Sequence, residues 1–257
     1  MDDNSKSVLE SLPRLHFFNQ SLALCKWSLL RHKILLPMFT ILQVILSVAI
    51  VYGLALLIPD IDPLSAVYLS SGATTLGLIA VGCVLAAQIV STAKQDGIIK
   101  YQRTLPVSRI NILITDFFIW GLASLPGVIM SFLAAAIRFG IAIHFSFQGF
   151  VILLLVQMSM ISIGFAIAYW LNANSVSMMS QLIMIGGLLF SPITYPAERL
   201  PDWITDIYNI LPFVPTSSLI RASFYQLGQL HFRDIIVVSL WLVVTSSVSL
   251  IALERRD

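Results

Sequence analysis

Long apolar runs recur along this chain, and short polar or charged islands separate them. A helix that crosses a bilayer needs about 20 predominantly apolar residues. The pattern predicts six such spans, at Ile34–Ile58, Ala66–Ala93, Ile110–Ile137, Gly149–Leu171, Ser177–Phe190 and Ile235–Leu253. The fifth is short and runs into a proline-rich, partly apolar stretch from Ser191 to Leu230. Ahead of the first span, Leu15, Phe18, Leu22, Cys25 and Leu29 recur at helical spacing, with Arg14, Lys26, Arg31 and Lys33 on other faces or at the end. That pattern predicts an amphipathic helix lying in the membrane interface, its cations among lipid headgroups.

Composition fits this picture. The chain of 257 residues is 58% hydrophobic and 11% charged, with a mean hydropathy of +0.90, far outside the globular range. Charge placement then sets the orientation. Of the 15 Lys and Arg, eleven fall on one predicted side: Lys6, Arg14, Lys26, Arg31, Lys33, Lys94, Lys100, Arg103, Arg109, Arg255 and Arg256. The positive-inside rule makes that side cytoplasmic. Both termini then face the cytoplasm, which an even number of spans satisfies. No cleavable signal peptide is expected, since the first apolar run is too long for a signal core.

Candidate chemistry is sparse. No Gly precedes a Lys, so no phosphate-binding loop is present, and no HExxH, GxSxG or Cys/His cluster occurs. His16, His32, His144 and His231 are dispersed, and Cys25 and Cys83 form no pattern. Ion-coupled transport needs ionisable ligands at membrane depth. The single candidate is Asp116, near enough to the cytoplasmic side to pair with Arg109 or Lys94. Gln43, Gln88, Gln157, Ser159 and Ser180 are uncharged polar residues within spans that can join helices. Thr74, Thr75 and Gln181 are candidates for lining a pathway.

The run Lys94-Gln95-Asp96-Gly97-Ile98-Ile99-Lys100-Tyr101-Gln102-Arg103-Thr104-Leu105-Pro106-Val107-Ser108-Arg109 concentrates four cations between the second and third spans. Asp96 and Lys100 stand four apart, the favourable order for a helical ion pair. Ile98, Ile99 and Leu105 provide a short apolar face, Pro106 stops the helix, and Ser108 suits the cap of the next one. This segment resembles the cytoplasmic signature of type-2 ABC exporter permeases, closest over Thr104–Arg109. Asp96, Ile98 and Lys100 stand where Glu, Thr and Glu are more usual. A second resemblance runs through Ser191-Pro192-Ile193-Thr194-Tyr195-Pro196, Leu200-Pro201-Asp202-Trp203, Leu211-Pro212-Phe213-Val214-Pro215-Thr216, Arg221 and Gly228.

The resemblance, strongest to the drug and small-molecule exporter branch, implies an all-α integral membrane protein. It would have an interfacial helix within residues 1–33 and one six-helix membrane domain over 34–257. Residues 94–109 would form a coupling helix seated on an ATPase, with Asp96, Gly97, Lys100, Tyr101, Arg103, Pro106 and Arg109 as the coupling residues. Residues 191–230 would fold back as short re-entrant helices forming an outer gate, shaped by Pro192, Pro196, Pro201, Trp203, Pro212 and Pro215. The second and fifth spans would face a central path. The expected activity is export through a pair of permease chains, with no catalysis here: no cofactor in this chain, ATP and Mg on the partner ATPase. The expected partners are that ATPase, a second copy or a paralogous permease, membrane lipid and an exported substrate, but not nucleic acid. The expected location is a bacterial or archaeal cytoplasmic membrane. A self-sufficient secondary transporter or channel, a membrane enzyme and a non-transporting immunity or sensor protein are the alternatives. The apolar lining leans toward a hydrophobic or amphipathic small molecule, lipid or peptide, with a polysaccharide also open.

Overall fold

Main-chain N–H and C=O groups in hydrocarbon must bond within their own segment, and the long apolar runs accordingly form helices. The computed structural model describes residues 13–31, 33, 35–57, 62–105, 107–189, 192–195 and 201–254, and no strand occurs among them. In chain order the helices are α1 (Pro13–Arg31), α2 (Leu35–Leu57) and α3 (Pro63–Ile79), then a π-helical segment (Ala80–Ala86) that leads straight into α4 (Ala87–Gln95). These are followed by α5 (Ile98–Thr104), α6 (Arg109–Phe139), α7 (Phe147–Trp170) and α8 (Ala173–Leu189). Two short helices, α9 (Asp202–Ile210) and α10 (Phe213–Phe224), precede the last, α11 (Phe232–Glu254).

Among the described residues, five helical runs are long and apolar enough to cross a membrane: Leu36–Gly53, Pro63–Gln95, Arg109–Phe139, Phe147–Trp170 and Phe232–Glu254. They coincide with the first, second, third, fourth and sixth predicted spans. The fifth, expected over Ser177–Phe190, falls on α8 up to Leu189, and Phe190 lies outside the described residues. That helix has 17 residues, ~25 Å at 1.5 Å per residue against a hydrocarbon core of ~30 Å.

The observed run Pro63–Gln95, where the span Ala66–Ala93 was predicted, is the hub of the bundle, packed against α2, α6, α7, α8 and α10. Two large cores form around it, with a small third cluster of Val51, Ala73 and Ala134. One gathers Leu76, Phe132, Val156, Ile193, Leu219 and Phe224, and the other Phe39, Ile99, Leu113, Trp120, Phe165 and Tyr169. Between the cores, the π-helical segment and α7 come into main-chain contact. A Cβ at Gly164 would collide with the Gly82 carbonyl oxygen, and one at Gly82 would meet the Met160 main chain. Small residues permit that approach. The π turn itself was not expected from the sequence, which reads as an uninterrupted apolar helix.

Several of the uncharged polar residues at depth join helices by hydrogen bonds, whereas the amide of Gln43 packs against Gly127 with no hydrogen-bond partner among the described residues. Thr74 shares a hydrogen bond of 3.0 Å with Ser131. Gln157 donates to the Gly121 carbonyl and to Ser124 in the turn preceding Pro126 of α6. Ser159 donates to the Val238 carbonyl at 3.2 Å, and Ser162 meets Thr245 at 2.5 Å, so α7 and α11 share a polar seam.

Candidate functional site

At the end of the bundle that carries α1, Asp96 closes α4 and its N–H bonds the Thr92 carbonyl at 2.9 Å. Gly97 follows with φ +74, a left-handed conformation that disfavours any residue with a Cβ. α5 begins only at Ile98. Asp96 and Lys100 therefore stand on opposite sides of a turn, and the helical ion pair expected from their spacing is replaced by a glycine corner. Ile99 and Gln102 are buried against the bundle, while Lys100, Tyr101 and Thr104 are exposed. Leu105 is extended, as the residue before a proline should be. Arg109 donates from Nη1 to the Gln102 carbonyl at 3.3 Å, which folds the start of α6 back onto α5. Ser108 occupies the cap position of α6 but makes no capping bond through its side chain. Pro106 and the side chain of Arg103 lie outside the described residues.

Two contacts brace α5 and α6 against α1, and a third stiffens α1 itself. The rings of Trp27 and Tyr101 lie 6.2 Å apart, and Asn111 donates to Gln20 Oε1 at 3.4 Å. The Arg31 guanidinium sits 4.7 Å above the Trp27 ring. Burial holds Arg31 below the usual guanidinium range, and the nearby Asp116 carboxylate offsets part of that cost. Asp116 thus faces Arg31, where the sequence had suggested Arg109 or Lys94. Leu24 and Ser28 form the packed side of α1, whereas Leu22 and Leu29 of the expected apolar face point outward. The side chains of Leu15 and Phe18 lie outside the described residues.

Lys94 takes a role that the sequence did not signal. Its Nζ donates to the carbonyl oxygens of Tyr169 at 2.8 Å and Leu171 at 3.1 Å. These groups belong to the carboxy-terminal end of α7, where orphan carbonyls and the helix dipole favour a cation. No local pattern links residues more than 70 positions apart.

At the opposite end, Pro201 precedes α9 and Pro212 caps α10, with Pro215 buried in the first turn of α10. Pro192 is buried beside Ile193, and Trp203 is exposed on α9. Pro196 lies outside the described residues. Arg221 gathers this region. It donates to Ser71 at 3.1 Å, to Ser217 at 2.8 Å and to the Ile193 carbonyl at 3.3 Å, and its guanidinium lies 3.8 Å from the Tyr68 ring centre. Gly72 allows the 193–194 turn to sit against α3, since a Cβ there would meet Thr194 Cγ2 at 2.6 Å. Trp241 Nε1 ties α11 to the Ile210 carbonyl at 2.9 Å.

Thr74 and Thr75 sit inside the chain's own core, bonded to Ser70, Ser71 and Ser131. Gln181 is exposed on α8. An apolar cleft of about 430 Å³ lies between α7, α8, α10 and α11, lined in part by Ile167, Ile183, Leu211, Phe213 and Trp241.

An all-helical bundle with five spans of membrane-crossing length and with polar groups spent between helices is a multi-pass membrane protein. Residues 22–225 match the family model described as ABC-2 type transporter, so the chain belongs to that family and is a membrane permease of an ABC transporter. No match was found among curated proteins.

Proposed function

We propose that this chain is the membrane-spanning subunit of an ATP-driven exporter. Two chains enclose a substrate path, and separate ATPase subunits drive it from the cytoplasmic side of a bacterial or archaeal membrane. The observation that carries this reading is the form of α5. It is anchored by buried Ile99 and Gln102, held by Arg109 and Trp27, and still presents Lys100, Tyr101 and Thr104 outward. A short helix fixed on one side and exposed on the other suits the groove of a soluble partner and can transmit force. In this reading α1 lies in the cytoplasmic interface, with Leu22 and Leu29 toward lipid, and α8 completes six crossings by ending among the short helices of the outer leaflet. The Arg221-centred region then forms the outer gate, its irregular backbone satisfied by protein groups.

The test is co-purification and coupling. The full chain is co-expressed with candidate ABC ATPases of the same organism and reconstituted in vesicles. Lys100→Glu with Tyr101→Ala is expected to reduce ATPase association at least tenfold while leaving membrane insertion intact. Efflux of a fluorescent amphiphile driven by a proton gradient, with neither ATP nor a partner present, would overturn the reading in favour of a secondary transporter.

A further inference from the structure

The Lys94 contact joins two segments that could otherwise move apart. Its main chain belongs to the turn that leads into α5, because the Lys94 carbonyl accepts from the Gly97 N–H at 3.3 Å. Its side chain holds the other end of the link, the carbonyls of Tyr169 and Leu171. Tyr169 to Asn172 form the corner at which α7 ends and α8 begins.

That corner is tied on all sides. Trp170 Nε1 donates to the Val248 carbonyl of α11 at 3.0 Å. Asn172 Oδ1 accepts from the Ser175 N–H at 2.9 Å and so caps the first turn of α8. Further along, α8 rests on the second span through two polar contacts. Gln88 donates to Ser177 at 3.2 Å, and Ser180 donates at 3.5 Å to the Cys83 carbonyl within the π-helical segment. The first turns of α8 therefore meet that helical run at Gln88 and Cys83, whereas the carbonyls at the end of α7 are bonded to it by Lys94.

We propose that Lys94 is a positioning residue that carries movement of the Asp96–Arg109 segment to the α7–α8 corner, so that α8 follows the ATPase together with α6. This rests on the exporter reading above. The charge and the reach of the side chain both matter. A cation donates to two helix-terminal carbonyls at once and is favoured by the dipole there, whereas a neutral side chain of equal length leaves those carbonyls to water.

The experiment uses the full chain in complex with its ATPase in nanodiscs, with ATP and vanadate as the probe. Amide hydrogen exchange is first followed on the unaltered complex. Exchange in residues 94–104 and 169–176 is expected to change together on adding ATP and vanadate, by at least threefold in each. The change at 169–176 is expected to vanish in Lys94→Met while that at 94–104 remains, and to be rescued in Lys94→Arg. A response at 94–104 without one at 169–176 in the unaltered complex overturns the proposal, as does an equal response in Lys94→Met. If the unaltered complex shows no ATP response at 94–104, or no ATPase binds, the exporter reading itself fails.

Discussion

At one end of the bundle, Lys94 reaches the Tyr169 and Leu171 carbonyls; at the other, Arg221 reaches the Ile193 carbonyl, Ser71, Ser217 and the Tyr68 ring. Each cation ties an irregular segment to regular helices. The chemistry differs with the geometry of the target. The α7–α8 corner offers carbonyls at a helix end, which a point charge on a flexible stem can satisfy. Around Arg221 the 193–194 turn offers a carbonyl, α3 a hydroxyl and a ring face, and α10 a second hydroxyl, in different directions, which suits a planar fork that also stacks. One link can stretch with its stem, while the other holds a rigid assembly. That contrast is what a lever at one end and a gate at the other would require.

The largest expected effect comes from uncoupling both ends at the waist between them. Gly164→Val places branched carbons against the Gly82 carbonyl, and overpacking of this kind costs about 3 kcal/mol. Little monodisperse protein should survive extraction, as judged by size-exclusion chromatography. A variant that melts like the parent would show that the helices part easily there. Next comes Arg221→Ala, which removes the guanidinium's bonds to Ser71, Ser217 and the Ile193 carbonyl and leaves that carbonyl only its bond from the Ser217 hydroxyl, at about 2 kcal/mol. Arg221→Lys should recover less than half of the lost melting temperature, because an ammonium cannot reproduce the fork and the stacking. Full recovery by Lys would erase the distinction between the two ends.

How far the sequence foretold this architecture depends on the range of the forces involved. Apolar runs set the long helices locally, so Ile110–Ile137 was expected where Arg109–Phe139 is found, and Gly149–Leu171 where Phe147–Trp170 is found. Proline also acts locally, and Pro201 and Pro212 mark helix ends in both views, whereas the helix expected through Gly97 is broken there. The π-helical segment was illegible because its distinguishing contact, Gly82 against Gly164, comes from another helix. The partners of Lys94, Arg221 and Asp116 were illegible for the same reason. Sequence proximity puts Arg109 and Lys94 within reach of Asp116, which in the fold faces Arg31. On α1 the apolar spacing was read correctly as helical, but the bundle packs against Leu24 and Ser28 and leaves Leu22 and Leu29 outside. Periodicity reports a face; it does not report which neighbour covers it.

The remaining predictions probe the Lys94 end and are smaller. Gly97→Ala forces a Cβ into the left-handed region, with no neighbouring atom within 4 Å to clash. Its cost is purely conformational, about 1–2 kcal/mol. Melting temperature should fall by a few degrees, and Gly97→Asn should fall less, because Asn tolerates that conformation. An unchanged Ala variant would mean that the corner between α4 and α5 adopts another backbone and is no fixed hinge.

Lys94→Met should cost least of all, about 1 kcal/mol, because Lys94 is exposed and water can replace it at the Tyr169 and Leu171 carbonyls. Lys94→Arg should restore the parental melting temperature, since a guanidinium also donates to carbonyls at a helix end. The asymmetry is the decisive quantity. If exchanging Lys for Arg is tolerated at 94 and exchanging Arg for Lys fails at 221, the two ends differ in the geometry each cation must satisfy and not merely in carrying a charge. Equal tolerance at both positions, read from melting curves recorded side by side, would reduce both links to simple charge neutralisation at carbonyl-rich turns.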